Sequence, residues 1–81
     1  MNYTLFKIIN KDKILIEEEI KLGGFFSKAY NNMGHAKAIA RIAFADSSSK
    51  DLQDIVVKDK DGNIVFKANE HSNGIAGKGN N

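Results

Sequence analysis

The sequence predicts an α+β fold: a single ββαββ domain with a four-stranded antiparallel sheet and one helix packed on one face. Three observations lead there. Residues 14–22, ILIEEEIKL, alternate in polarity with the period of a half-buried strand. Residues 33–45 carry apolar side chains at helical spacing. Two β-branched runs flank the turn signal Lys60-Asp61-Gly62-Asn63.

Each element follows in order. Residues 3–9, YTLFKII, are aromatic and β-branched and too short for a helix, so they read as the first strand. Asn10-Lys11-Asp12-Lys13 is a polar turn, and residues 14–22 complete a hairpin. Gly23-Gly24 ends it, and residues 25–32 fit either a loop or a helical turn. From Met33 to Ala45, Ala36, Ile39, Ala40, Ile42, Ala43 and Phe44 fall on one broad arc with Met33 at its edge. Lys37, Arg41, Ala38 and Ala45 fall opposite. Asn31 or Asn32 supplies the N-cap oxygen. Ser47-Ser48-Ser49 breaks the pattern, and 54–59 and 64–68 are the last two strands. The expected domain is 1–69, followed by a flexible Gly/Asn-rich tail, 70–81.

Composition bounds the function. Eighty-one residues make one domain with a small core, and there is no cysteine for a disulfide framework or a thiolate metal site. No apolar run approaches the roughly 20 residues that span a bilayer. Lys7 and Asn10 interrupt any signal-peptide core, so no membrane partner and a cytoplasmic location are expected. The net charge of +2 implies little, but its distribution does. Residues 23–45 hold Lys28, Lys37 and Arg41 and no acid, between two segments of net charge −2.

One helix covers one sheet face, yet several strands are apolar on both parities. Phe6 and Ile8 oppose Leu5 and Ile9, Val56 opposes Ile55 and Val57, and Val65 opposes Ile64 and Phe66. Leu15 adds to the polar side of the second strand. A second, partly apolar face edged by Glu17, Glu19, Lys58 and Lys67 therefore invites a partner or a second copy.

Several motifs lead to no chemistry. Residues 59–70 place Asp59, Asp61, Asn63 and Glu70 at the ligand positions of an EF-hand loop. The position that needs glycine for the sharp turn is Ile64, and the flanks read as strands, so a hairpin turn is expected. Gly74 to Gly79 hints at a phosphate loop but has no following helix. His35 and His71 have no convergent ligands, and Ser27 and Ser47–Ser49 have no adjacent base. No catalytic residue, metal site or cofactor is expected. Lys37 and Arg41, one helical turn apart with Lys28 near the same end, are placed to contact phosphates.

Residues 34–68, GHAKAIARIAFADSSSKDLQDIVVKDKDGNIVFKA, give a lysine-bearing, alanine-rich helix and then an Asp-Gly hairpin. With the lysine-rich hairpin before them, they resemble small ββαββ accessory proteins of phages and mobile elements, some of which are anti-CRISPR inhibitors. The Asn, Lys and Ile bias suits a low-GC genome or its phage. The resemblance is architectural and transfers no site residue. It implies non-enzymatic, stoichiometric binding to a host protein or nucleoprotein complex. The expected contact residues are Lys28, Lys37 and Arg41, or Leu15, Val56 and Val65 on the free sheet face. A direct RNA- or DNA-binding domain and a homodimer through that sheet face are the alternatives.

Overall fold

A computed structural model describes residues 1–72, with side chains through Glu70. Its sheet has four antiparallel strands: β1 (Tyr3–Lys11), β2 (Ile14–Ile20), β3 (Leu52–Asp59) and β4 (Ile64–Lys67), in the order β2-β1-β3-β4. The first strand of each hairpin, β1 and β3, is central, and the helix α1 (Met33–Asp46) lies on one face. Both hairpins and the helix stand where the residue pattern puts them.

The first turn is tighter than the polar run suggested. Only Asp12 and Lys13 leave the strands, at φ 54° and 69°. Two successive left-handed residues match the right-handed twist of the flanking strands. In the second turn Gly62 takes φ 85°, and the Asp59 carboxylate accepts the N–H groups of Asp61 and Asn63, both at 2.9 Å. The Asn63 N–H, chiefly, holds the Asp59 pKa below the ordinary carboxylate value, against an opposing effect of desolvation. The Asp61 N–H, the Asn63 side chain and the Lys60 charge lower it further. Ile64 begins β4, so this segment is a hairpin.

The core joins Leu5, Ile55, Val57 and Phe66 of the sheet to Ala36, Ala40 and Phe44 of α1. Ala36 and Ala40 are completely buried, one turn apart, so the helix axis lies close over the strands. Two bulges adjust which residues share this face. β1 pairs Ile8 with Asp54 and Ile9 with Leu52, skipping Gln53, and Leu52 packs against the core. β3 pairs Val57 with Phe66 and Lys58 with Ile64, skipping Val65.

Three features go beyond the residue pattern. Residues Gly24–Asn31 form a 310 helix, long for its kind, which resolves the ambiguity over 25–32. It is tied down by Ala29, fully buried, and by Tyr30. The Tyr30 hydroxyl accepts the Leu22 N–H and its carbonyl accepts the Asn2 N–H, each at 2.8 Å. Ala68 does not extend β4 but starts a short helix, α2 (Ala68–Ser72). The Asp54 carboxylate accepts the Asn69 N–H near its start at 2.8 Å. Residues 70–72 of the expected tail thus belong to α2, and the remainder of the tail lies outside the described residues.

Candidate binding surface

The second sheet face is less open than strand alternation implies. Lys58 reaches across β1 to Glu17, with its ammonium 4.6 Å from the Phe6 ring centroid. The lysine stem thereby covers apolar surface while its charge meets a carboxylate. Val56 lies on this face but is 2% exposed. Val65 is placed differently from expectation: left over in the bulge, it packs against the core on the helix side. Ile64, paired with Lys58, takes the second face instead. Leu15 is exposed as expected, in β2 at an outer edge of the sheet. Of the apolar residues assigned to a free face, only Leu15 offers a large exposed surface.

Besides Met1, Ile14, Leu15 and Ile64, three exposed apolar side chains gather in one place elsewhere. Phe25 is 70% exposed, Phe26 55% and Ile42 60%. Ile42 was expected in the buried arc of α1. The arc explains the difference. At 100° per residue, Ile42 to Phe44 spans roughly 200°, more than one flat sheet can cover. The sheet takes Ala36, Ala40 and Phe44. Ile39 and Ile42 turn toward the 310 helix, which presents Phe25 and Phe26 edge to face, with ring centroids 5.7 Å apart.

Between these elements run two adjoining hollows of about 260 and 250 Å³ that share Phe26, Ile39 and Ile42. One continues along Gly34, His35 and Ala38, the other toward Leu22 and Ala43. His35 is the only side chain in either lining with a polar group. The helix start that shapes this groove is capped by Asn32, whose Oδ1 accepts the His35 N–H at 3.0 Å. A Cβ on Gly34 would meet that same oxygen at 3.3 Å.

The three basic residues divide around α1. Lys37 and Arg41 come together over the Phe66 ring, at 5.8 and 6.0 Å from its centroid. On the helix surface Lys37 neighbours Gly34, and Arg41 neighbours Ala38, three residues away in each case. Their charged groups nevertheless turn to Phe66 of β4, and neither residue lines the two hollows. Lys28 stands on the 310 helix with its ammonium 5.2 Å over Phe25. Lys28 is thus the one of the three that touches the apolar strip, at Phe25, whereas Lys37 and Arg41 lie over β4.

Other chemistry-bearing side chains have local structural work. Ser27 Oγ donates to the Gly24 carbonyl at 2.7 Å. Ser47 and Ser49 accept the N–H groups of Ser49 and Asp51. Glu18 pairs with Lys7, and Glu19 with Lys21. Among the described residues no three His, Asp or Glu side chains converge as metal ligands, and no helix is long and apolar enough to cross a membrane. The His71 side chain and the Gly74–Gly79 segment lie outside the described residues.

Compared with family models, with curated proteins and with solved structures, the chain matches none.

The residue pattern missed Phe25, Phe26 and Ile42 as a surface. Two signals were available. An aromatic pair directly follows the Gly23-Gly24 strand terminator, and the apolar arc of α1 is too broad for one sheet.

Proposed function

We propose that this chain is a small non-enzymatic binding protein that docks a partner protein in the groove between the 310 helix and α1. The observation that carries this reading is the exposure of Phe25, Phe26 and Ile42 side by side on one groove. Contiguous apolar surface of this kind is costly in water and marks contact sites. Aromatic anchors around a concave strip supply the burial on which most interface energy depends. The stoichiometric mode of action agrees with what the resemblance to phage and mobile-element accessory proteins implies, with a host protein or nucleoprotein complex in the cytoplasm as the target.

A second reading, direct nucleic-acid binding, is favoured by one observation. Lys37 and Arg41 project side by side from α1, and residues 23–45 contain no acid. Lysine and arginine side chains are among the groups that contact phosphates.

Capture of a partner by the tagged full chain tests both, comparing wild type with Ile42→Ser and with Lys37→Glu/Arg41→Glu. The first reading expects a stoichiometric protein partner that Ile42→Ser loses without a change in melting temperature. A protein partner retained by Ile42→Ser would place the contact elsewhere. Recovery of nucleic acid, lost only on charge reversal and steeply weakened by salt, would establish the second reading instead.

A further inference from the structure

We infer that, while no partner protein holds it, the groove is covered by a second copy of this chain, with the two α1 helices antiparallel. The inference rests on the docking groove proposed above and adds that a partner must displace that copy. Area comes first. At 70, 55 and 60% exposure, Phe25, Phe26 and Ile42 leave roughly 350 Å² of apolar surface in water. Two copies together bring about 700 Å², and the rims of the hollows carry the total toward the ~1,000 Å² of a weak, exchanging interface. The chain's own residues 73–81 hold Ile75 as their one large apolar side chain, too little to cover this surface. Shape agrees. Each copy carries an exposed ring, Phe25, and hollows larger than the about 150 Å³ that takes a benzene. Phe25 lines the hollow toward Gly34 and His35, at the start of α1, and the other hollow runs to Leu22 and Ala43. Antiparallel packing sets Phe25 of each copy against that second hollow of the other.

Charge sets the direction. The linings of the two hollows hold no Lys, Arg, Asp or Glu, so their centres meet without repulsion. The charges stand at opposite ends. Lys28 lies over Phe25, at the end of the groove beside Gly34 and His35. Asp46 lies three and four residues past Ala43 and Ile42, so it continues their stripe at the other end. It is the last residue of α1, where the helix dipole disfavours a negative charge, and no basic residue stands in that turn. On a two-fold with antiparallel helices, the Lys28 end of each copy meets the Asp46 end of the other, twice per dimer. A parallel arrangement would set Lys28 against Lys28 and Asp46 against Asp46. Lys37 and Arg41, turned to β4, take no part.

The test is sedimentation equilibrium of the full chain at low salt. From roughly ten micromolar to one millimolar it should show a reversible dimer. Ile42→Ser should weaken the dimer about a hundredfold, because each dimer loses two such side chains. Lys28→Glu and Asp46→Lys should each weaken it about tenfold, through two opposed like-charge pairs. Asp46→Lys suits the helix dipole, so its loss of dimer does not come from unfolding. An equimolar mixture of these two variants should dimerise again, since each offers the charge that the other lacks. High salt should flatten both charge effects. A chain that stays monomeric over the whole range overturns the inference, and the docking reading still stands if a captured protein depends on Ile42. A dimer indifferent to Ile42→Ser places the self-contact elsewhere and overturns it too. A dimer that needs Ile42 but ignores both charge variants overturns the antiparallel order. A dimer that behaves as expected, beside a captured partner that ignores Ile42→Ser, keeps the inference and ends the docking reading.

Discussion

The Lys58 ammonium lies 2.6 Å from the Glu17 carboxylate, on strands separated by β1, and spans the Phe6 ring on the way. This one side chain covers the Phe6 part of the second sheet face, while Leu15 and Ile64 stay exposed on it. Its stem and the ring below are the larger part of that effect, because an ion pair with Glu17 about half exposed contributes little.

Lys58→Ala should therefore lower stability by about 1 kcal/mol and expose Phe6. Lys58→Met, which keeps the apolar stem, should recover most of that loss. Urea unfolding of the two variants checks it. Equal losses in both would place the stabilisation in the charge pair.

The close approach of helix and sheet over Ala40 makes a second prediction. Ala40 has no exposed surface. Ala40→Leu should cost roughly 1–3 kcal/mol by overpacking. Leu5→Ala, which empties a fully buried site, should cost about 2–5 kcal/mol. Both are read in urea, and a neutral Ala40→Leu would mean that the interface has room.

Asp59 sets a pH dependence. Its native pKa is lowered, chiefly by the Asn63 N–H. The unfolded chain holds the higher, ordinary value near about 4. The stabilisation is therefore complete above that value and lost as pH falls through the lower native one. A carboxyl NMR titration should give a midpoint below about 4 for Asp59. Asp59→Asn should remove this contribution to the acid side of the melting profile. A midpoint at or above the ordinary value would contradict the turn geometry.

Lys13 holds φ 69° in the β1–β2 turn. A left-handed residue costs about 1–2 kcal/mol with a side chain and little for glycine, which loses part of the gain in unfolded-state entropy. Lys13→Gly should raise the stability by about 0.5 kcal/mol, measured by thermal unfolding. A loss would show that the lysine side chain is held by contacts across the turn.

The sheet was legible because alternation, a hairpin turn and a capped helix are local signals. Glu17 and Glu19 against Ile16 and Ile20 declare a strand, Gly62 a turn, and Asn32 a helix start. The two bulges were not legible, since skipping Gln53 or Val65 depends on how two strands meet. Nor was the cap of α2, because Asp54 and Asn69 are distant in sequence. Lys37 and Arg41 were correctly seen as neighbours, but their position over Phe66 needed the tertiary fold. The groove fell between the two cases. Its residues were visible, yet periodicity assigned Ile42 to the core because it counts apolar residues and not the surface available to bury them.

The central claim is that the 310 helix and α1 together form the contact surface. Calorimetric affinity of the captured partner for wild type and for Ile42→Ser tests it most directly. Ile42 is 60% exposed, and serine matches isoleucine in helix propensity, so the fold should be unaffected. The account predicts a loss of affinity of about tenfold or more at an unchanged melting temperature. An affinity unchanged within about twofold, with the fold intact, would contradict it.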